Sequence, residues 1–238
     1  MAPLQSLSQT ALRARETLSR LGKLEGSLYL VSRALGALSK GKIRLVRYYL
    51  VAQPTSGTQV TSLTQPPSSD VDFCRPDDPF LSDFPRPASV ITQRFQRGHT
   101  CLRARSKGGF AGYLWLARSH YDEDEVRCCY VLDDPYRTAW DYDVYVAPEY
   151  RIGRTFARLW QTANHHLAAE GVQWCFSRIS AFNPDSLKAH SRLGATSLFS
   201  ATFINIGPIQ VTIAGHKPYL HLSFSNASAP LLRLRPPE

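Results

Sequence analysis

Arg151, Gly153 and Arg154 lie in a short turn between a strand pattern and a helix pattern, an arrangement suited to anion binding. Residues 140–146 alternate as a β-strand does, Pro148 ends that pattern, and a helical period begins at Gly153. The first N–H groups of a helix lack intrahelical acceptors, glycine admits close backbone approach, and arginines add charged donors. The turn therefore predicts a site for a pyrophosphate-bearing cofactor. An ordinary connection with solvated arginines is the alternative.

The composition describes a globular domain with an appendage. The 238 residues, 43% hydrophobic and 20% charged, are enough for a full core. A formal net charge of +9 favours acidic partners, whether nucleotide-like cofactors, anionic lipids or nucleic acid, without choosing among them. The five cysteines have no C-x-x-C spacing, and the histidines form no ligand set. We therefore expect reduced, buried thiols, no metal and a cytoplasmic location.

Residues 1–42 are predicted to be an amphipathic helical extension. Apolar residues recur every three or four positions from Leu21 to Leu38, and lysines and arginines supply a basic remainder. Three alternatives stay open for the apolar stripe: packing on the parent domain, contact with a partner helix or a second copy, and peripheral contact with a membrane surface. Glycines within the stripe weaken the third alternative, because they disfavour an isolated helix.

Residues 43–226 are predicted to form the main domain, and residues 227–238 a C-terminal tail. Strand patterns cover residues 43–52, 99–105, 110–117, 126–132, 140–146, 172–179, 198–206 and 220–224, the last two as an antiparallel end pair. Helix patterns cover residues 89–96, 153–171 and 183–194. Asn183 has the residue type of an N-cap, with proline following at the first helical position. Residues 53–70 and 75–87 are expected to be exposed loops.

Two segments resemble motifs of the GNAT superfamily of acyl-CoA-dependent N-acyltransferases. Residues 146–151, V-A-P-E-Y-R, followed by G-R-T at 153–155, look like the V-x-P-x-x-R turn and pyrophosphate loop of that family. Residues 183–194 are similar to its N-x-x-[AS] and Y-x-x-[LF]-G helix. The loop here is one residue shorter than the family pattern, with Thr155 where glycine or alanine is usual. The resemblance implies an α/β (α+β) fold with a mixed, mostly antiparallel central sheet flanked by helices.

The resemblance also implies which residues bind the donor, acetyl-CoA or another acyl-CoA. The pyrophosphate would be held by the glycine-containing turn, the thioester carbonyl by backbone N–H groups at the end of the preceding strand, and the pantetheine arm by the second motif. The residues implied are Tyr145, Val146, Arg151, Gly153, Arg154, Thr155, Asn183 and Ser186.

Three side chains are implied for catalysis. His190 stands where the family has a tyrosine that protonates the leaving thiolate, and helical geometry places it on the side that faces the sheet. An ordinary core histidine is the alternative. Asp141 and Asp143 share one face of the alternating strand and are candidates for the base. The alternative is that both carboxylates pair with neighbouring arginines such as Arg137.

The function implied is N-acyl transfer to a primary amine by direct attack, with a small amine or an amino sugar as acceptor. A long-chain acyltransferase that takes its donor from an acyl carrier protein is one alternative. A non-catalytic module of the same fold, docking on a membrane or on nucleic acid, is another; nucleic acid is the less expected of these partners. A homodimer is also open.

Overall fold

The computed structural model describes residues 2–55 and 70–237. Part of the predicted loop at 53–70 therefore lies outside the described residues. In chain order the helices and strands are α1 Ala2–Leu21, α2 Lys23–Leu38, β1 Ile43–Pro54, β2 Val71–Phe73, α3 Ala88–Gln96, β3 Thr100–Ser106, β4 Gly109–Ala117, β5 His120–Asp122, β6 Cys129–Leu132, β7 Thr138–Val146, α4 Thr155–Ala169, β8 Trp174–Ser180, α5 Pro184–Arg192, β9 Thr196–Ile206, β10 Ile209–Ala214, β11 Leu220–Ser223 and β12 Leu231–Leu234.

The strands form one large sheet and one small one. The large sheet has the order β11-β10-β9-β1-β8-β7-β4-β3-β2, and within it the β7–β8 pair is parallel while the other described pairs are antiparallel. The small sheet has the order β12-β6-β5. The prediction of a mixed, mostly antiparallel sheet flanked by helices is therefore confirmed.

The large sheet has two covered faces with separate apolar cores. On the small-sheet face, Trp140 and Phe176 pack with the small sheet, and the rings of Trp140 and Tyr130 stack at 4.5 Å. On the helix face, α4 buries Leu159 and Trp160 against the strands. A fully buried side chain of this size contributes about 1.5–3 kcal/mol. Both faces of the central strands are thus fixed, which holds the ends of β7 and β8 in position.

The N-terminal helices confirm the helical extension and show where it packs. Helix α2 lies across β1 on the helix face, with Ser32 donating to the carbonyl of Leu45 at 2.9 Å. The carboxylate of Glu25, buried in this contact, pairs with Arg47 at 3.1 Å and accepts a hydrogen bond from Tyr49. The polar side of α2 therefore faces the sheet, and much of its predicted apolar stripe does not.

Two features of the C-terminal part differ from the predictions. Strands β9 and β11 do not pair with each other, because the unpredicted strand β10 lies between them and pairs with both. The predicted tail contains β12, which pairs in parallel with β6 and buries Leu232 and Leu234. The apolar alternation of residues 231–234 is too short to predict a strand from the sequence. The strand is stabilised by pairing with the edge of β6.

Candidate active site

The central parallel strands separate soon after they meet. Only three residue pairs join β7 to β8, from Thr138↔Trp174 to Trp140↔Phe176, although the strands have nine and seven residues. From Asp141 on β7 and Ser177 on β8 onward, the two strands have no mutual backbone pairing. The result is a wedge-shaped gap in the sheet, open towards the C-terminal ends of both strands.

The backbone of β7 directs hydrogen-bonding groups into this gap. Ala147 N–H donates to the carbonyl of Ala111 on β4 at 3.0 Å, which fixes which residues of β7 face β4. In an antiparallel pair alternate residues direct their N–H and C=O to the partner strand, so Tyr145 also faces β4. Val144 and Val146 consequently direct theirs to the opposite side, towards β8. The role of backbone donors near Val146 stays a prediction.

A β-bulge at Asp143 sets this direction. The register of β7 on β4 shifts so that Asp143 and Val144 together oppose Leu114, and Asp143 adopts a positive φ of 48°. On β4, Gly112 permits the close approach, since a Cβ there would lie 2.4 Å from the carbonyl oxygen of Tyr145. The bulge moves every residue after it to the other face.

The predicted common face of Asp141 and Asp143 is therefore wrong. Asp141 lies on the helix face, whereas Asp143 joins Tyr142 on the small-sheet face. The alternation of Trp140 with Val144 breaks at the same point, with Trp140 in the core of the small-sheet face and Val144 against that of the helix face. An extra residue in a strand leaves no mark in the hydrophobic pattern, so period-two reasoning could not find it.

Asp141 lies at the narrow end of the gap. It is buried, and its carboxylate accepts a hydrogen bond from Ser177 Oγ on β8 at 3.0 Å and a longer contact from Cys175 Sγ at 3.8 Å. Burial raises the pKa of Asp141 to about 7, against the opposing effect of these hydrogen bonds. A carboxylate of this kind can take up and release a proton near neutral pH.

Asp143 is held in a different environment. Arg86 Nε donates to it at 2.8 Å, Arg94 Nη1 at 2.5 Å, and Tyr113 also donates to the carboxylate. Burial alone would raise the pKa of Asp143, but the hydrogen bonds and charges of the two arginines outweigh it and hold the pKa below its ordinary value. The structure thus places Asp143 in an ion-pair cluster. Arg137, the predicted partner, instead contacts Asp134 at 4.0 Å.

Beyond the gap, the start of α4 presents several unoccupied donors. The first backbone bond into this helix runs from Arg158 N to Arg154 O at 2.9 Å. Within the described part of the chain, the N–H groups of Ile152 and of residues 154–157 donate to no protein acceptor. Residue 154 is the N-cap but gives no side-chain cap, so its side chain leaves these donors and the positive end of the helix dipole unsatisfied.

The side chains of this turn strengthen the positive end of the helix. Arg151 donates from Nε to the carbonyl of Val146 at 3.1 Å, which brings its charge to the mouth of the gap. Arg154 is exposed, and no acidic partner for it occurs among the residues described. At Gly153 a Cβ would lie 3.3 Å from the carbonyl of Tyr150, so a side chain would crowd the turn. Thr155 is buried and does not obstruct it.

His190 is buried against α4. Its ring makes edge contacts with Phe156 and Trp160, with centroids 5.7 and 5.6 Å away, and its Nδ1 has no hydrogen-bond partner among the residues that the structure describes. Burial lowers the pKa of His190 to about 4, so the imidazole is neutral at pH 7. A neutral imidazole can donate a hydrogen bond, but it is not the protonated acid that the resemblance implied.

The remaining predicted residues divide into two groups. Asn183 caps α5 by accepting from Ser186 N at 3.1 Å, so the predicted cap is confirmed and both residues lie at the start of that helix. Tyr145 lies away from the gap, because its backbone faces β4 and its ring stacks on Tyr113 and Phe110.

Sequence reasoning missed Arg86, Arg94 and Ser177. Arg94 is 6% exposed on α3 and lies over the ring of Tyr142, with its guanidinium carbon 4.9 Å from the centroid. A buried arginine in a short helix of mixed composition gives no periodic signal. Ser177 follows Cys175 on the same face of β8, and it could have been found only by pairing β8 with β7 in register.

A cavity of about 760 Å³ opens on the small-sheet face near the separated part of β8. Four consecutive acidic residues at 122–125 line it together with Lys42, Arg44, Arg97 and Arg127. One of the acids, Glu123, pairs with Arg178 of β8 at 2.6 Å, and this pair connects the cavity wall to the gap.

Among residues 2–55 and 70–237 no group of three His, Cys, Asp or Glu side chains is arranged to hold a metal ion. No helix in the part of the chain that the structure describes is long and apolar enough to cross a membrane.

Comparison with known proteins gives structural matches only. No protein-family model matches the chain, and no curated protein matches it. A candidate GNAT-family acetyltransferase from Novosphingobium aromaticivorans aligns with a TM-score of 0.49 and 17% identity, over 67% of this chain and 63% of that one. A functionally unknown conserved protein from Staphylococcus epidermidis aligns with a TM-score of 0.49 and 9% identity, over 73% and 66%.

A third match is a glucosamine N-acetyltransferase region within a fungal multi-domain β-N-acetylglucosaminidase, with a TM-score of 0.43 and 18% identity, over 71% of this chain and 22% of that protein. The chain thus spans less than two thirds of the length of these first three matches. Proteins described as GNAT acetyltransferases are among the solved structures that it resembles. Each of these matches is a similarity of backbone fold.

Proposed function

We propose that this protein transfers an acyl group from an acyl-CoA to a primary amine. One observation supports this above the others: the gap between β7 and β8 leads directly to the open N-terminus of α4. Outward-facing amides of β7 and unpaired N–H groups of the helix thereby form one continuous row of donors. Such a row suits a ligand with a carbonyl at one end and phosphates at the other.

The residues present fit a coenzyme A donor. The free N–H groups at the start of α4, with Arg151 and Arg154, would hold the pyrophosphate, and the absent side chain at Gly153 leaves room for it. The amides of Val144 and Val146 would lie along the thioester arm. When bound, acyl-CoA supplies an activated acyl group, which needs no further chemical activation by the protein.

The protein's own residues would then perform two tasks. The N–H groups of β7 polarise the acyl carbonyl, because they already point into the gap before any donor binds. Asp141 receives, through a water molecule in the gap, the proton that the attacking ammonium must lose, because its carboxylate lies on the helix face and the acceptor enters from the small-sheet face. Ser177 keeps this carboxylate oriented. A base with a pKa near 7 is deprotonated often enough at neutral pH and still basic enough to accept the proton.

His190 has a direct role at the leaving group in this proposal. Its neutral ring, held between Phe156 and Trp160, can donate one hydrogen bond towards the leaving sulfur. Asp143 has no direct part in proton transfer, because its two arginine partners keep it ionised. It acts by holding the bulge that directs the amides.

We infer that the acceptor, a small amine or an amino sugar, approaches from the cavity on the small-sheet face. Two of its acidic residues, Asp122 and Asp124, are exposed and offer charge for an ammonium group, whereas Glu123 and Glu125 pair with Arg178 and Arg44. The Glu123–Arg178 pair joins the cavity wall to β8. A donor carried on an acyl carrier protein is compatible with the same gap, and the test below separates it from free acyl-CoA.

The test is thermal unfolding with acetyl-CoA, palmitoyl-CoA and CoA. A ligand at one hundred times its Kd stabilises the folded state by about 2.7 kcal/mol, which raises Tm by roughly 5–10 °C for a chain of this size. Arg154→Glu should abolish the shift, and Arg13→Glu, a matched charge reversal on exposed α1, should leave it unchanged. No shift with any CoA would overturn the proposal for free acyl-CoA. Thiol release measured with a panel of amines, and with acyl carrier protein as donor, then identifies the substrates.

A further inference from the structure

The sheet has an apolar, exposed surface at the end formed by β9, β10 and β11. On the helix face the outward residues of these strands lie side by side, as in the pairs Ile206↔Ile209 and Val211↔Leu222. None of the three strands contains Asp, Glu, Lys or Arg. Six side chains, each 36% to 66% exposed, form what we call the floor: Ile206, Ile209, Ile213, Leu220, Leu222 and Phe224.

Helix α2 is apolar on its exposed sides as well. Between Leu24 and Leu38 its only exposed charged residue is Arg33, since Glu25 is buried. Leu24, Val31 and Leu38 follow one another at seven-residue intervals and are 47% to 85% exposed; we call these three the ridge. A seven-residue apolar repeat is typical of a helix that pairs with another helix. A helix with so little polar surface is normally covered on all sides.

The ridge lies beside the floor. Helix α2 crosses β1, whose neighbours in the sheet are β8 and β9. Tyr29 marks the flank towards β8, because its ring contacts Phe182 just beyond that strand at 5.4 Å. At about 100° per residue, Val31 points to the opposite flank, which faces β9 and the strands after it. The ridge and the floor therefore form the wall and the base of one apolar groove.

The size and charge of this groove indicate a protein partner. At about 180 Å² for a fully exposed large apolar residue, its nine side chains expose roughly 900 Å². That area is close to the ~800 Å² per partner of a standard protein interface, and larger than the patches that monomers usually expose. A concave surface does not match a flat bilayer, and an uncharged floor does not match a phosphate backbone.

We propose that the partner is a second copy of this chain. The two α2 helices pair in antiparallel orientation about a two-fold axis, each covering the other's ridge and lying over the other's floor. Because Val31 is midway between Leu24 and Leu38, it lies next to its own mate on the axis, and Leu24 meets Leu38 of the partner copy. In a two-fold dimer both copies use the same surface, so one self-complementary surface is sufficient to form the interface. The residues of α2 that would face the partner's floor, Ser27 and Ala34, are small enough for close packing.

The first test is sedimentation of the full chain over a micromolar concentration series. Wild type should be a dimer, and Val31→Lys or Leu222→Lys should weaken association at least tenfold. Arg33→Lys, on another side of α2, should not. Circular dichroism checks folding, and the Lys substitutions introduce no buried charge in a monomer because both positions are already exposed. A monomeric wild type, including one that binds anionic vesicles, would overturn the proposal, as would a dimer indifferent to both substitutions.

The second test locates the axis without destabilising the interface. Val31→Cys should give a covalent dimer under mild oxidation, whereas Arg33→Cys should remain uncrosslinked and wild type controls for the native thiols. Equal crosslinking at both positions would refute antiparallel pairing through α2. Neither experiment depends on acyl transfer, so the dimer and the proposed reaction can fail independently.

Discussion

Replacement of Asp141 by asparagine tests the proposed base through stability as well as activity. Asparagine keeps the size of the side chain and an oxygen that can accept from Ser177, but it cannot ionise. In the wild type, burial raises the pKa of Asp141 from 3.8 to about 7. The folded state therefore binds more protons than the unfolded state between these values, and stability falls as pH rises through that window.

The expected size of the effect follows from the shift. One pKa unit corresponds to about 1.4 kcal/mol, so ionising Asp141 in its buried site lowers the free energy of unfolding by about 4 kcal/mol between pH 4 and pH 8. Asp141→Asn has no such penalty. Its stability relative to wild type should increase with pH up to about pH 7 and then level off. In a chain of this length the difference corresponds to roughly 10 °C in Tm.

The assay is urea or thermal unfolding of both proteins in parallel from pH 4 to pH 8.5. Other groups titrate equally in the two proteins, so the difference isolates residue 141. Activity gives a second measurement. Wild-type kcat/KM should rise with pH to a plateau above about pH 7. The variant should lack this rise, and its rate should be lower by about 10²–10⁴-fold. A stability difference that does not change with pH would refute the assignment of a buried, raised-pKa carboxylate.

Asp143→Asn is the matched control, because the same substitution two residues away should behave oppositely. The pKa of Asp143 is held below 3.8 by Arg86 and Arg94, so its stabilising contribution is present above the unfolded pKa and disappears as pH falls through the folded one. The variant should be less stable than wild type at neutral pH, with the deficit shrinking towards acid. Parallel pH profiles for the two variants would contradict the opposite environments assigned to them.

Three further changes test the parts that position the gap. Gly112→Ala brings a Cβ to within 2.4 Å of the carbonyl of Tyr145, so we expect a shifted β7, lower Tm and at least tenfold lower kcat/KM; wild-type values for both would contradict the close approach. Arg94→Met leaves Asp143 with one arginine in a mostly buried site, and we expect a loss of about 3–5 kcal/mol in urea unfolding. His190→Ala should lower turnover much more than CoA affinity, to be measured by steady-state kinetics beside calorimetric binding; unchanged turnover would remove its role.

The sequence pattern was sufficient for the strands and helices around the gap, and insufficient for its side chains. Residues 140–146 and the turn at Gly153 were recognisable because a strand period changes to a helical one there. The bulge was not recognisable, because it consists of two residues of β7 that lie opposite one residue of β4, and this pairing cannot be read from either strand alone. The orientation of Asp141, and its contact with Ser177, depends on β8, which is more than thirty positions away. Local sequence therefore predicts where helices and strands lie, whereas the face on which a side chain lies and its ion pairs depend on tertiary contacts.

The bulge at Asp143 connects the packing of the small-sheet face with the chemistry proposed in the gap. A positive φ in a residue other than glycine costs about 1–3 kcal/mol and persists only where surrounding contacts hold it. Here Arg94, lying over Tyr142, grips the strained residue by its carboxylate. If Asp143 relaxed to an ordinary strand conformation, the regular alternation of β7 would be restored. The N–H groups of Val144 and Val146 would then point towards β4 and away from the gap. The ion pair therefore acts on the reaction through the direction of two backbone N–H groups, and its loss should lower kcat through misdirected amides even where the protein still folds and binds its donor.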